Sequence, residues 1–298
     1  MKRIIIASAI LSIALFACNI SSTATPPVAT AAPVVTAGPV ASEPPTASVP
    51  PAATEPPTAT QAPVATQPPA PQANVTCNEL KLFLDPALAG GYSCNTIPEV
   101  SGQGGPGFDV NPQYTELTLT GYVLSGRFFE PKIAVYPVQK FIELMPDVIP
   151  ARVSVLQALM GGGPTDAKGL PILPIFNARQ EFFAQYKVAA FVNGNGIRYL
   201  TQYSQFADPI NNHELFYTYQ GLTSDGSYWI SAILPISNPV LPADGNNPPN
   251  GQTPEQFSNN FDTYIADLTT QLNSQPAESY SPTITMLDAL VTSISIQP

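Results

Sequence analysis

The sequence predicts an α+β fold, namely a mainly antiparallel sheet built from hairpins with helices packed on it, preceded by a disordered Pro/Thr/Ala-rich stalk. Two pairs of apolar and aromatic runs are joined by hairpin-turn sequences in the second half of the chain. Segments with helical periodicity lie on both sides of these runs, so few parallel crossovers are implied. Proline recurs every few residues between 26 and 71, which excludes a packed core there.

The chain begins with a segment typical of an export signal. Lys2 and Arg3 precede an apolar run over 4–16, which is long enough for a signal peptide and too short for a membrane-spanning helix. The run ends in Leu-Phe-Ala-Cys at 15–18. This ending resembles the lipobox of bacterial lipoproteins, in which an aliphatic and a small residue precede the cysteine that receives lipid.

The resemblance implies a signal peptide over 1–17 and a diacylglycerol on Cys18. The membrane is therefore an expected partner, reached through the lipid on Cys18, and the mature chain is expected on the cell membrane or the outer surface, on the extracytoplasmic side. Two or three acyl chains give stable anchoring, whereas one gives only marginal binding. Phe16 is bulkier than the usual residue at its position, which is a departure from the family pattern.

Residues 18–76 form the predicted linker. Ala, Pro, Thr and Val dominate it and charges are rare, so it cannot bury a core and is expected to be extended. It would act as a spacer between the lipid and the folded part. O-glycosylation and recognition by a Pro-binding partner are alternatives for the same composition. The remaining residues, 77–298, are predicted to form one globular domain.

Cys77 and Cys94 are the two cysteines that remain once Cys18 is assigned to lipid. An even pair in an exported protein predicts a disulfide. Closing a loop of this size would stabilise the fold by about 3 kcal/mol in the chain-entropy model. A reactive thiol pair is the alternative, although the spacing is not Cys-x-x-Cys.

The first elements of the domain are two strands followed by two helices. Alternating apolar residues predict a strand over 115–124, and a short apolar run predicts another over 132–136. Helical spacing predicts helices over 138–145 and 151–160, and Pro150 suits the first turn of the second helix.

Asn177 and Gln180 resemble a capping box, which predicts a short helix at this point. Two hairpins follow, each with apolar and aromatic strands around a turn that contains glycine: 186–192 and 197–203 around 193–196, and 215–221 and 228–236 around 223–226.

Thr253, Pro254 and Gln256 combine a cap, a first-turn proline and a capping box, and they predict the start of the strongest helix. Its apolar stripe consists of Phe257, Phe261, Tyr264, Ile265, Leu268 and Leu272. A last helix is predicted over 282–291, and residues 294–296 as an edge strand. This ending resembles that of PsbP-like domains, where a C-terminal helix covers an antiparallel sheet. The whole domain resembles uncharacterised bacterial lipoproteins, and neither resemblance implies an activity.

No catalytic residue, metal site or cofactor is predicted. His213 is the single histidine, which excludes zinc sites that need two. The glycine clusters at 102–107 and 161–164 lack the lysine and helix start of a phosphate loop. The turn around Asp225 offers one carboxylate, too few oxygens for calcium. With 11 basic and 21 acidic residues and a net charge of −10, nucleic acid is a poor partner.

The candidate ligand-binding residues lie on and between the hairpin strands: Arg198, Tyr203, His213, Tyr217 and Trp229. Aromatic and polar groups on one sheet face would suit a small-molecule, glycan or protein ligand. The alternative is that the tyrosines fill the core beneath the last helices. His213, next to Glu214, is either a general base oriented by a carboxylate or a loop histidine.

Two hypotheses for function remain. The leading one is a non-enzymatic surface module of the cell envelope, either binding or structural. The alternative is a cell-envelope hydrolase of unfamiliar type that uses carboxylates such as Glu214 or Asp225. Two carboxylates converging with His213 or Arg198 in one cleft would favour the hydrolase. The long loop over 237–252 is either a lid near Arg198, Tyr203 and Trp229 or a plain surface loop.

Overall fold

The computed structural model describes residues 72–102, 107–163 and 169–297 of the 298-residue chain. The leader, Cys18 and most of the predicted linker lie outside the described residues. Those residues form an α+β domain in which an antiparallel sheet carries helices, as the sequence predicts.

The strands and helices agree in most places with the sequence pattern. The strands of the described residues are β1 (Val75–Cys77), β2 (Leu80–Leu82), β3 (Ala89–Ile97), β4 (Tyr114–Tyr122), β5 (Lys132–Pro137), β6 (Arg179–Gln180), β7 (Ala184–Phe191), β8 (Gly194–Thr201), β9 (Tyr203–Ser204), β10 (Phe216–Thr223), β11 (Tyr228–Pro235) and β12 (Ser295–Ile296). The helices are α1 (Val138–Leu144), α2 (Ile149–Met160), α3 (Pro254–Asn259), α4 (Phe261–Ser274) and α5 (Ile284–Thr292).

The main sheet has seven strands in the order β3-β4-β5-β11-β10-β8-β7. Every neighbouring pair is antiparallel. A smaller sheet, β1-β2-β12, joins the start of the described chain to its end, and β6 pairs with β9 alone. Strand β1 begins two residues before the predicted domain boundary at Cys77, and the side chain of Asn74 bonds to Leu84.

One face of the main sheet packs against α4, α5 and the small sheet. The buried residues of this core include Leu117, Ile133, Leu200, Tyr217, Ile230, Leu272, Leu287 and Val291. The opposite face packs against α1 and α2, and its buried residues include Tyr136, Phe141, Leu156, Ile197, Tyr199 and Trp229. Both faces of the sheet are therefore covered, which explains why β10 and β11 are buried along almost their whole length.

The predicted disulfide between Cys77 and Cys94 is confirmed. It joins β1 to β3, the edge strand of the main sheet, across a Cα–Cα distance of 5.5 Å. The small sheet is thus covalently attached to the large one.

The strongest predicted helix is confirmed with one interruption. Thr253 and Gln256 form both hydrogen bonds of a capping box at the start of α3. The helix is broken at Asn260 and resumes as α4. Its apolar stripe is buried at Phe257, Phe261, Leu268 and Leu272.

The predicted helix at Asn177 and Gln180 is wrong. Arg179 and Gln180 form strand β6, paired with Ser204 and Tyr203 of β9. The Gln180 side chain accepts a hydrogen bond from the backbone N–H of Leu170 at 2.7 Å. It is therefore not available to cap a helix, and no apolar stripe follows to stabilise one.

The hairpin between β7 and β8 is confirmed, but its turn lies earlier than the glycines suggest. Phe191 pairs with Gly194, so Val192 and Asn193 form the turn. Gly196 lies within β8, where a Cβ would approach the Tyr219 ring to 2.6 Å. This glycine is required for close packing across the sheet.

The loop over 237–252 packs against the segment before β10. The backbone N–H of Asn212 donates to Pro242 O at 2.9 Å, and its side chain donates to Asn238 O and Leu241 O. Ser237 forms a β-bridge with Ser281. These contacts hold the loop beside Asn212 and Ser281, and do not place it as a lid over Arg198 or Trp229.

Candidate functional site

The five candidate ligand-binding residues are not brought together, since three lie on the two faces of the main sheet and two lie elsewhere. Trp229 is 1% exposed and lies on the α2 face, where its indole N–H donates to Gln220 Oε1 at 2.8 Å. Gln220 also bonds to Leu173, Thr218 and Ser231. This buried network holds the chain after residue 170 on the sheet, so Trp229 has a structural role.

Arg198 and Tyr217 are brought together on the opposite face, beneath α5. Arg198 is 7% exposed, its Nε lies 3.2 Å from Asp288 Oδ1, and its Nη1 donates to Gln185 O. The Tyr217 hydroxyl donates to the same Asp288 oxygen at 2.9 Å. Burial, followed by the charge of Asp288, raises the pKa of Tyr217 well above its usual value. The charge of Arg198 is thus compensated by Asp288, although its Nε makes no hydrogen bond to the described residues.

Tyr203 and His213 lie away from both groups. Tyr203 packs against Phe176, with ring centroids 4.6 Å apart, and against Phe216. His213 Nδ1 lies 3.0 Å from Gly126 O, and its backbone N–H donates to Asn211 Oδ1. The structure therefore does not join the five residues into one site.

The carboxylates Glu214 and Asp225 lie beyond opposite ends of β10. Glu214 accepts a hydrogen bond from Asn211 at 3.0 Å. Asp225 accepts from Thr223 and Ser227 within its turn, and these bonds lower its pKa to about 2. The two carboxylates do not converge with His213 or Arg198.

A cleft lies instead between residues 179–183 and helix α4. Its cavity has a volume of about 660 Å³, within the range of small-molecule sites. The helix contributes Phe261, Ile265, Thr269 and Asn273. These four residues are spaced by four, so they form a line along one face of α4.

The opposite wall of the cleft is held in place by backbone hydrogen bonds. Glu181 N donates to Gln202 O at 3.0 Å, and the Thr201 hydroxyl donates to Phe182 O at 2.6 Å. At the far end, Gln185 has a positive φ of 55° and donates from its backbone N–H to Asn273 Oδ1. Its side chain donates to Leu272 O and Gln275 O. Gln185 thus joins the wall to the end of α4.

Glu181 is the most unusual group in the cleft. Its side chain is 1% exposed, and Oε2 lies 2.7 Å from Arg179 Nη2. Oε1 is buried and has no hydrogen-bond partner among the described residues. Burial raises the pKa of Glu181 above its ordinary value, and the Arg179 guanidinium opposes this shift. Gln180 borders the same cavity, and its Nε2 is also buried without a partner in the described part of the chain.

A second cavity of about 580 Å³ lies on the other side of residues 169–180, against α2. Arg152, Val155, Phe176 and Tyr203 border it, and Arg152 donates to Ile172 O at 3.3 Å. Gly169, Arg179 and Gln180 border both cavities. The segment around β6 therefore separates two neighbouring cavities, and Tyr203 is the predicted residue that reaches one of them.

Sequence reasoning missed Arg179, Gln180 and Glu181 because the segment was assigned to a helix. The local sequence, a polar Arg-Gln-Glu run followed directly by Phe182 and Phe183, contains no pattern that distinguishes the wall of a cleft from a loop.

Comparison of the chain with protein-family models, with curated proteins and with solved structures gives no match. Within residues 72–102, 107–163 and 169–297, no helix combines the length and apolar character needed to cross a membrane. Over the same residues, no group of three or more His, Cys, Asp or Glu side chains is arranged to hold a metal ion.

Proposed function

We propose that the chain is a lipid-anchored, extracytoplasmic binding protein of the cell envelope, with its ligand site in the cleft between residues 179–183 and α4. The ligand would be a small molecule, or the end of a glycan or peptide. The observation that carries this proposal is the buried Glu181 carboxylate, one oxygen of which has no partner among the described residues. Burying such a group costs free energy unless a ligand satisfies it.

The anchor rests on the sequence alone. The lipobox-like ending at Cys18 supports attachment through lipid, and the acidic charge of −10 argues against electrostatic adhesion to anionic headgroups. The Pro-rich linker would then hold the cleft away from the membrane surface.

A hydrolase is the second candidate. Its carboxylate pair would be Glu181 and Asp262 in place of Glu214 and Asp225, because Glu181 and Asp262 border the same cavity. Since burial raises the pKa of Glu181, that carboxyl group would be the proton donor, with Asp262 as the second carboxylate of the pair. Turnover of chromogenic glycosides or esters that disappears in Glu181→Gln would favour the hydrolase over a binding protein.

The binding proposal is tested by filling the cavity. Thr269→Trp adds a large side chain on the α4 face that borders the cleft, and Thr270→Trp adds the same side chain on the exposed face. A panel of neutral, anionic and cationic probes, including sugars and short peptides, is screened by ligand-observed NMR on the purified mature chain.

We expect at least one probe class to bind the wild type and Thr270→Trp, with binding reduced at least tenfold in Thr269→Trp. Matching thermal-melting curves for the two variants would establish that both are folded. If no probe of any class shows this dependence on Thr269, the cleft is not a binding site.

A further inference from the structure

We propose that the cleft recognises a cationic group, an ammonium or guanidinium carried on an apolar body, held between the Glu181 carboxylate and the Phe261 ring. This inference rests on the proposed function and names the ligand class of the same site. It depends on the chemistry of three side chains that border one cavity, Glu181, Phe261 and Asp262.

One oxygen of Glu181 lacks a hydrogen-bond partner among the described residues. An ionised carboxylate only accepts hydrogen bonds, so Oε1 requires a donor from outside the described residues. Charged donors form shorter and stronger bonds to carboxylates than neutral ones do. A ligand anion would instead face an unsatisfied negative oxygen in a buried position.

Arg179 already places a cation against both Glu181 and Phe261. Its Nη2 lies 2.7 Å from Glu181 Oε2, and its Cζ lies 5.9 Å from the centre of the Phe261 ring. The distance to the ring is within the range of cation–π contacts. The Arg179 side chain is 67% exposed, so it can move into solvent and leave its position against Glu181 and Phe261 to the cation of a ligand.

The charge of the cleft also suits a cation. Arg179 offsets Glu181, and Asp262 adds a second carboxylate to the residues that border the cavity. Asp262 lies in the first turn of α4 and offsets the positive end of the helix dipole there. The whole chain is acidic, with a net charge of −10, so its field attracts cations and repels anions.

The test uses three probes with one apolar body: n-hexylammonium, 1-hexanol and hexanoate. Dissociation constants are measured by NMR titration of the purified mature chain at neutral pH. We expect hexylammonium to bind at least tenfold more tightly than hexanol, and hexanoate to bind most weakly. Glu181→Gln should remove the preference for hexylammonium over hexanol, whereas Glu255→Gln, an exposed carboxylate on α3 outside the cavity, should retain it.

A second variant keeps the proposal testable if Glu181→Gln does not fold. Phe261→Leu retains an apolar side chain and removes the ring, so it should weaken the binding of hexylammonium more than the binding of hexanol. Equal affinities for hexylammonium and hexanol in the wild type would overturn the cationic class, as would tighter binding of hexanoate. Either result leaves the binding proposal standing if the affinity still depends on Thr269. Absence of binding by all three hexyl probes also overturns the cationic class, and the wider panel then decides the binding proposal.

Discussion

Glu181 is a buried charged side chain that lowers the stability of the folded protein. Its charge is removed from water and, within the part of the chain that the structure describes, is compensated on one side only, by Arg179. A half-compensated buried charge destabilises the folded state. Such a position is retained most readily where the charge has a partner that arrives from solution, as in the proposed cationic ligand.

The raised pKa of Glu181 predicts a pH dependence of stability. The Glu181 carboxylate is protonated at a higher pH in the folded protein than in the unfolded chain, where its pKa is near 4.5. The contribution of Glu181 to the free energy of unfolding should therefore increase as the pH falls through the folded-state pKa, and be complete below the unfolded one. Urea unfolding from pH 4 to 7.5 measures this contribution as the free energy of unfolding of the wild type minus that of Glu181→Gln. A stability of the wild type relative to Glu181→Gln that rises with pH would contradict the assignment, and Glu255→Gln, at an exposed carboxylate on α3, serves as the control variant.

Gln220 is the residue on which the buried network of the α2 face depends. Its Oε1 accepts from Trp229 Nε1 at 2.8 Å and from Leu173 N at 3.1 Å. Gln220→Leu would retain the volume and leave both donors buried without an acceptor, at a cost of about 2–4 kcal/mol. Gln271→Leu, on the exposed face of α4, should change stability by less than about 0.5 kcal/mol. Denaturant unfolding compares the two, and similar losses would show that the network contributes nothing.

The candidate residues were predicted from composition, and strand register explains why they do not form one site. Side chains alternate between the faces of a strand. Trp229 pairs with Leu222 on the neighbouring strand β10, and paired residues point to the same face. Tyr217 lies five positions before Leu222 on β10, so Tyr217 and Trp229 point to opposite faces. Aromatic residues can be listed from the sequence, but the pairing that assigns each to a face depends on contacts between distant segments.

At the scale of elements, the sequence predicted the strands and helices whose side chains carry a clear period. The hairpins β7–β8 and β10–β11 and the capped helix α3 are of this kind. Strand β3 was not predicted, because it contains Gly90, Gly91, Ser93 and Asn95 and is exposed along most of its length. Its conformation is fixed by pairing with β4 and by the disulfide, neither of which appears as a hydrophobic pattern.

The close approach at Gly196 gives a prediction for one strand. A Cβ at this position would lie 2.5 Å from Gln220 O and 2.6 Å from the Tyr219 ring, whose hydroxyl donates to Ala189 O. Gly196→Ala should therefore destabilise the domain by about 1–3 kcal/mol. Gly90→Ala is the matched control, since its nearest contact would be 3.9 Å from Thr120 O. Thermal unfolding separates them, and equal melting temperatures would show that the strands adjust freely.

At the scale of the whole molecule, the cleft could not be located from the sequence. Its two walls, residues 179–183 and α4, are about eighty residues apart in the chain. Gln185 brings them together through three hydrogen bonds to the end of α4. Gln185 also has a positive φ of 55°, and nothing in the local sequence around a glutamine indicates this conformation.

The proposed anchor gives a prediction for the whole chain. Cys18→Ser removes the thiol that would receive lipid, so the protein should be lost from the membrane fraction. The domain should still fold, because its described contacts begin near Asn74. Fractionation after a salt wash, with circular dichroism of the soluble protein, measures both. A variant that remains with the membranes would show that something other than lipid on Cys18 holds it.

The bond between Cys77 and Cys94 determines how the domain would respond to tension applied from its N-terminal side. Such a pull would first reach β1, where only Val75 and Thr76 precede the cysteine. The load then passes through a covalent bond into β3, which is held against β4 by eight paired positions. The disulfide therefore places the load on a strand with eight paired positions, and not only on the three pairs that join β1 to β2. A domain that is tethered at this end would thus resist being pulled apart at the point where the tether enters.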